Sequence, residues 1–395
     1  MYRRLLVAYT LNELAWSIGT VALAVLVFRR TGSAIGAMSF FLCAQTLPAL
    51  CSPAVVARID QRPVRRVLPA LYVVESLAFA ALAWVITRFA LGPALVLVLI
   101  DGIAAVTARA IARATTVAVL TPEDMLREGN ALTNASFSVC FMAGPAIGGL
   151  IVAVGGTTAA LIANACVFAL IAVTMLTTRG LPAAPHEPAP TAGRLRRALD
   201  YVREHPVIRT LLGLQAAAVL FFTVSIPVEV VFTTHTLHAG AGGYGALLSA
   251  WGAGAVVGSA IYARWRELPS RTLIVGGASA LGLGFLGMAV APALGYAIAA
   301  AAVAGTGNGI EAVSVRTALQ ESVDANWMTL MMSFNESMAE ATTGIGILLG
   351  GALAAIAGPR AALAVAGAGG LFVAAVIAGA LRSQRTAVDA SPGLR

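Results

Sequence analysis

The sequence contains no lysine, and charged residues of all kinds make up only 11% of its 395 residues. Hydrophobic residues make up 59%, so a soluble domain of this length could not cover its surface with polar side chains. The sequence also lacks a phosphate-binding loop of the Walker type, a nucleophile elbow and a set of zinc ligands. These absences argue against an enzyme, and they predict neither a cofactor nor a bound metal.

Cysteine is scarce as well, since only Cys43, Cys51, Cys140 and Cys166 are present. All four lie inside apolar runs, where we interpret them as small buried residues rather than as disulfides or metal ligands. The net charge of +8 comes from 26 basic residues, all of them arginines. No basic domain interleaved with aromatic residues is present, so binding of nucleic acid is not expected.

Long apolar runs fill most of the chain. A hydrocarbon core of about 30 Å takes roughly 20 helical residues to cross, and runs of that length recur from end to end. They are continuously apolar and lack the alternation of barrel strands, so we predict an all-α membrane protein. We place twelve spans at 5–28, 34–57, 67–87, 94–120, 131–154, 157–178, 207–234, 244–263, 272–291, 293–319, 327–352 and 359–381.

The arginines outside the spans are distributed unequally between the two sides. Nineteen lie in the loops and tails on one side, and four lie on the other. Under the positive-inside rule, this bias places both termini in the cytoplasm. We therefore expect a multi-pass protein of the cell membrane, that is, an inner or plasma membrane.

One long connection, 179–206, interrupts the short loops and separates six predicted spans from six. It holds a proline-rich stretch and then a short amphipathic helix, with Leu195, Leu199 and Val202 on one side, that we expect at the cytoplasmic membrane surface. The predicted organisation is a bundle at 1–178, the cytoplasmic connection at 179–206, a second bundle at 207–382 and a cytoplasmic tail at 383–395.

A weak internal repeat supports two pseudo-symmetric six-helix bundles. At an offset of 202 residues, three glycines of the fifth span fall on three glycines of the eleventh. The offset aligns Gly144 with Gly346, Gly148 with Gly350 and Gly149 with Gly351. Substrate sites in proteins of this kind lie between the halves, near the middle of the membrane.

The chain resembles the major facilitator superfamily over roughly 1–382, and within it the twelve-span exporters grouped with macrolide and enterobactin efflux proteins. The resemblance rests on GPAIGGL in the fifth span, TGSAIG after the first, TPEDMLREGNAL before the fifth, LDYVREHPVIRTLL entering the seventh and GYGALLSAWGAGAVVGS in the eighth. It implies alternating access in a monomer, with small amphiphilic molecules and protons as the ligands.

Two motifs of that family are matched in part. Its exporter signature in the fifth span is met by Gly144, Pro145, Gly148 and Gly149, which implies export. The same residues also allow a helix to bend and a neighbour to pack closely, so helix packing is an equal interpretation.

In the loop after the second span, the family has a Gly and then an Asp, and the Asp helps to hold the cytoplasmic side closed. Arg58, Asp60 and Arg62 fit its basic pattern, but Pro53 and Ala57 replace the Gly and the Asp. Asp60 could act in place of the missing Asp, or the arginines could serve only topology.

Several ionisable residues lie deep in the predicted spans, where a charge is costly and usually functional. In the fourth span, Arg109 and Arg113 share a face with Asp101 nearby, and the resemblance links Arg109 to proton coupling. We expect Arg109 to pair with Glu13 or Asp101. A purely structural ion pair is the alternative.

The eleventh span carries Glu336 and Glu340 on one face, and two close carboxylates in an apolar environment cannot both ionise cheaply. This pair is a candidate proton store. Glu336 could instead pair only with Arg316 of the tenth span. The repeat aligns Glu336 with Asn134, which we place in the substrate cavity.

The remaining embedded acids are Glu75, Glu229 and Glu311. Glu229 could attract substrate or could be a solvated helix end, and Glu75 is unexplained. Seven embedded acids stand against three arginines, which favours cations or protonatable amphiphiles as substrates.

We predict proton-coupled efflux of such compounds by alternating access. The alternatives are uptake of a nutrient or siderophore, and a membrane sensor or scaffold that does not transport.

Overall fold

The computed structural model describes residues 1–31, 40, 42–88, 90–182 and 191–389. Within these ranges the chain is almost wholly helical and has no strand, which confirms the all-α fold. The helices are α1 (Tyr2–Thr31), α2 (Leu47–Ile59), α3 (Val64–Arg88), α4 (Leu91–Leu120), α5 (Leu126–Leu176), α6 (Arg194–Glu204), α7 (Pro206–Val231), α8 (Gly240–Arg264), α9 (Ser270–Val290), α10 (Leu294–Ser322), α11 (Met328–Ala357) and α12 (Pro359–Asp389). Single π-helical turns precede α2 and follow α7.

Ten helical segments of the described residues are long and apolar enough to cross a membrane, so this is a multi-pass membrane protein. One of them, α5, has 51 residues and breaks at Gly156, whose φ of 75° and ψ of 175° are not helical. Glycine adopts such a positive φ without steric cost. The break lies between the predicted fifth and sixth spans. Gly358, 202 positions later, has a φ of 86° and separates α11 from α12.

Three parts of the sequence predictions lie outside the described residues. They are most of the TGSAIG motif at the start of the second predicted span, most of the proline-rich stretch, and the end of the predicted tail.

One compact unit comprises Met1–Gly129, Val139–Leu212 and Gln320–Gly344. Its core is formed by buried side chains of α1, α3, α4 and the later part of α5. Tyr72 and Phe79 of α3 both stack on Phe168 of α5, with ring centroids 6.5 and 5.5 Å apart. Glu75 lies between the two α3 rings in sequence and on the same helix face. The aromatic contacts therefore hold this acid inside the unit.

The second compact unit comprises Asn130–Ser138, Gly213–Leu319 and Ile345–Arg395. Here α9 and α12 approach closely because Gly282 and Gly367 face each other. A Cβ atom added to Gly282 would lie 2.6 Å from the Gly367 carbonyl oxygen, and one added to Gly367 would lie 2.7 Å from that of Gly282. Small residues let helix backbones pack without an intervening side chain, as is common between membrane helices.

The glycines of the internal repeat make equivalent contacts. Gly144 and Gly148 of α5 pack against α1, and Gly346 and Gly350 of α11 pack against α7. In each case a Cβ atom would meet atoms of the first helix of the same predicted half. The division of the chain at the central connection stays a prediction, and these contacts are what a duplicated bundle would show.

Candidate functional site

Two arginines of α4 and two glutamates of α11 form one charged cluster, in which Arg109 and Glu336 are buried and Arg113 and Glu340 are nearly so. Arg109 donates a hydrogen bond to Glu340 Oε1, and its Nε lies 3.4 Å from Glu336 Oε2. Arg113 forms an ion pair with the other oxygen of Glu336. None of the four side chains is more than 14% exposed. Glu336 therefore bridges both arginines, whereas Glu340 contacts Arg109 alone.

The spacing within each helix explains this geometry. Residues four apart lie on one face of a helix, so each helix presents two charges of the same sign one turn apart. The sequence predicted each pair. The expectation that Arg109 pairs with Glu13 or Asp101 is wrong, because Arg109 forms its ion pairs with Glu336 and Glu340, whose spacing matches that of the two arginines.

Residues of α1 adjoin this cluster. Glu13 is buried, and Arg109 and Arg113 are the cations that act on its carboxylate. Tyr9, one turn earlier, places its ring beneath the Arg113 guanidinium, with 5.5 Å between the guanidinium carbon and the ring centroid. This cation–π contact was not predicted. The four-residue spacing of Tyr9 and Glu13 was the available signal.

A small enclosed cavity of about 40 Å³ lies beside the cluster. Arg109, Glu340, Glu75 and Asp101 all line it. With Glu13 and Glu336, five carboxyl groups of this unit face two guanidinium groups. Guanidinium groups stay charged in proteins, and an unpaired buried carboxylate is costly. The arrangement therefore has a capacity for protons or for another cation.

The residues of the exporter signature divide between two faces of α5. Gly144 and Gly148 are buried against α1, where a Cβ atom on Gly148 would lie 3.1 Å from the Ile18 Cα atom. Pro145 and Gly149 lie on the exposed side, and a Cβ atom on Gly149 would meet nothing within 4 Å. The two buried glycines thus serve close helix packing, and a role in bending remains open for Pro145.

The residues of the loop after α2 have different environments. Arg62 is exposed, and Arg58 donates a hydrogen bond to the Ala54 carbonyl of its own helix. Asp60, by contrast, is buried in an ion pair with Arg194 of α6, with 2.6 Å between Oδ2 and Nη2. Asp60 therefore forms a buried contact of its own, although Ala57 stands at the family's Asp position.

Arg194 also connects α6 to the start of α11. Its Nη2 donates to the Asn326 carbonyl at 2.8 Å, and its guanidinium lies over the Trp327 ring at 4.9 Å. The Tyr201 hydroxyl donates to Asp324 Oδ2 at 3.0 Å and accepts from the Asp324 amide at 3.1 Å. Burial raises the pKa of the Tyr201 phenol, so it keeps the proton that it donates.

These contacts show which side of the amphipathic helix meets the rest of the protein. The helix is present, but it buries Arg194, Ala198 and Tyr201. The predicted apolar side is more exposed than this buried side, and Leu199 on it is 43% exposed. Nothing in the sequence of α6 indicates that Arg194 is buried, because its partner Asp60 is 134 positions away. Contact of the exposed leucine with the membrane surface stays a prediction.

The other predicted residues belong to the second unit. Asn134 donates to Ser259 Oγ at 3.0 Å, and Glu229 accepts from Ser225 Oγ at 2.9 Å. Both are buried, so the interpretation of Glu229 as a solvated helix end is wrong. Glu311 is also buried in α10, five residues before Arg316.

Comparison with known proteins relates this geometry to a family. The family model for the Major Facilitator Superfamily matches residues 5–333. No curated protein sequence matches the chain.

Three solved structures show the same fold at low sequence identity. The human organic anion transporter MFSD10 (TETRAN) has a TM-score of 0.78 and 15% identity, with 95% of this chain and 99% of that chain covered. The fucose:proton symporter FucP of E. coli has a TM-score of 0.71 and 14% identity, with 95% and 98% covered. An outward-facing bacterial homologue of the iron transporter ferroportin has a TM-score of 0.77 and 13% identity, with 95% and 98% covered.

Proposed function

Because the chain belongs to the Major Facilitator Superfamily of membrane transporters, we propose that it exports small amphiphilic compounds in exchange for protons. In this proposal the predicted halves rock around a site near the middle of the membrane. The protein works as a monomer in the cell membrane, with both termini in the cytoplasm.

The buried cluster of Arg109, Arg113, Glu336 and Glu340 carries the proposal. Glu336 is held by two arginines, whereas Glu340 is held by one. A proton on Glu340 leaves Arg109 with Glu336 as its partner, but a proton on Glu336 leaves Arg113 without a carboxylate among these four residues. Glu340 is therefore the group that exchanges its proton, and Glu336 keeps the two helices together.

The excess of acids in the same unit supports a cationic or protonatable substrate. Each arginine of the cluster already has a glutamate partner, so an organic anion would have to displace a buried carboxylate. A cation would instead compete with a proton for the acids.

The experiment is transport by the purified protein in liposomes, with a panel of cationic amphiphiles and an imposed pH gradient. In the wild type, the gradient drives uphill transport opposite to proton flow. Glu340→Gln mimics the protonated acid, so we expect gradient-driven transport to fall about tenfold, equivalent to about 1.4 kcal/mol. Substrate exchange without a gradient should continue.

The matched control is Glu321→Gln. Glu321 also pairs with an arginine, Arg127, but its side chain is 36% exposed, so its removal should leave coupling unchanged. Transport that ignores the pH gradient would contradict proton coupling. Movement of substrate in the same direction as protons would indicate uptake, and binding without any transport would indicate a sensor.

A further inference from the structure

Glu75 of α3 is a buried acid that the proposed exchange at Glu340 does not use. Its exposed fraction is 0%, and among the described residues neither carboxyl oxygen has a hydrogen-bond partner. A buried polar group without a partner has lost its hydrogen bonds to water and gained none in return, and the cost to folding is larger if the group is charged. A group in this position needs a ligand that supplies positive charge or a hydrogen-bond donor.

The cavity of about 40 Å³ is where such a ligand would lie. Its polar lining comprises Asn12, Gln45, Glu75, Asp101, Arg109 and Glu340. Asp101 also has a buried oxygen, Oδ1, without a hydrogen-bond partner in the described part of the chain. Two carboxyl groups, one on α3 and one on α4, thus line the same cavity. Each has at least one oxygen atom that accepts no hydrogen bond in the described part of the chain.

Size and charge restrict the ligand. The cavity has room for about three water molecules, at roughly 10–15 Å³ each. An organic substrate needs a pocket of about 300 Å³ or more. Calcium prefers six to eight oxygen ligands, and the described residues contain no group of three or more candidate metal ligands. A small monovalent cation fits these limits.

We propose that Glu75 and Asp101 form a second cation site, which binds one proton or one sodium ion together with water. The site is separate from the exchange at Glu340, although Arg109 and Glu340 line the same cavity. The charged and titratable groups that face Glu75 are Asp101 and Arg109 of α4, Glu340 of α11, Glu13 of α1 and Tyr72 of its own helix.

The test is thermal unfolding of the purified chain in detergent, between pH 5.5 and 9, in sodium chloride and in choline chloride. Glu75→Gln replaces the acid with a neutral group of the same shape. A ligand that binds only the folded state raises its stability, so the stabilisation that comes from this site should be present in the wild type and absent from the variant. The difference between the two profiles removes the contributions of Glu13, Glu340 and the other acids, which both proteins share.

Each source of positive charge gives its own result. If the ligand is a proton, the unfolding temperature of the wild type relative to Glu75→Gln falls by about 2–4 °C as the pH rises, with no effect of sodium. If the ligand is sodium, sodium chloride raises the unfolding temperature of the wild type at pH 8.5, and it does not raise that of the variant. Asp101→Asn should reproduce either pattern and serves if Glu75→Gln does not fold.

Ser76→Ala is the control on the same helix. Ser76 donates to the Ala165 carbonyl at 2.8 Å, so its loss should shift the unfolding temperature by one constant amount in every buffer. Parallel profiles for the wild type, Glu75→Gln and Asp101→Asn would overturn the proposal, and so would stabilisation by divalent cations alone. Because no transport is measured, failure of proton-coupled export would leave this result standing.

Discussion

The ion pair between Asp60 and Arg194 allows a quantitative prediction. Replacing Asp60 with alanine leaves the Arg194 guanidinium buried without its carboxylate partner. Both side chains are 2% exposed, so water cannot take over the hydration of the arginine without a local opening. We expect Asp60→Ala to lower the free energy of unfolding more than any change at an exposed ion pair of α6, the helix that carries Arg194.

The expected loss in the free energy of unfolding depends on the contacts that Arg194 would keep in the variant. Removing one partner of a buried ion pair costs about 3–5 kcal/mol. The Asn326 carbonyl at 2.8 Å and the Trp327 ring at 4.9 Å would still stabilise the guanidinium. These contacts place the expected loss near the lower limit, at about 3 kcal/mol. The pair between Arg203 and Asp200 on α6 is 73% and 44% exposed, so Asp200→Ala should cost less than about 1 kcal/mol.

The assay is reversible chemical unfolding of the purified protein in detergent, as a double-mutant cycle of Asp60→Ala and Arg194→Met. The double variant no longer contains a buried unpaired charge, so we expect it to be more stable than Asp60→Ala alone. A coupling energy of about 2 kcal/mol or more is expected. Costs that add within about 0.5 kcal/mol would refute the reasoning, and so would an equal loss from Asp200→Ala.

Two further predictions concern helix packing and the start of α11. Gly148→Val should cost about 1–3 kcal/mol in unfolding experiments, because its side chain would collide with Ile18, whereas Gly149→Ala should cause no loss. Tyr201→Phe should cost about 1–3 kcal/mol, because it removes both hydrogen bonds to Asp324. Burial raises the pKa of Tyr201, so its contribution should be present at neutral pH and be lost only as the pH rises above about 10.

Much of the fold was predictable because membrane spans depend on local composition. Hydropathy and length determine where a helix crosses, and the break of α5 at Gly156 falls where the prediction separates two spans. The four-residue spacings of Arg109 with Arg113 and of Glu336 with Glu340 were also local, and each predicted a shared face. The contact between these two helix faces was not predictable, because α4 and α11 are more than 200 residues apart in the sequence.

Arg194 of α6 shows the same limit of sequence-based prediction. Its sequence context is an amphipathic helix with several arginines, and only one of them, Arg194, is buried. The burial depends on Asp60, which is 134 positions away. No pattern within the helix distinguishes Arg194 from its exposed neighbours, so a single sequence cannot identify it.

The two kinds of contact in the first unit have different consequences for alternating access. The segment Gln320–Gly344 belongs by sequence repeat to the predicted second half, yet it joins this unit through polar contacts. Apart from the more exposed pair of Arg127 with Glu321, these contacts are Tyr201 with Asp324, Arg194 with Asn326, and Arg109 with Glu336 and Glu340. The glycine contacts of α5 with α1 and of α11 with α7, by contrast, lie within each predicted half.

Close apolar packing cannot be exchanged for water cheaply, whereas ion pairs and hydrogen bonds can be broken by a proton, a cation or water. In the proposed rocking mechanism the less exposed of these polar contacts would therefore be the ones that open, and the proposed protonation of Glu340 would act on one of them directly.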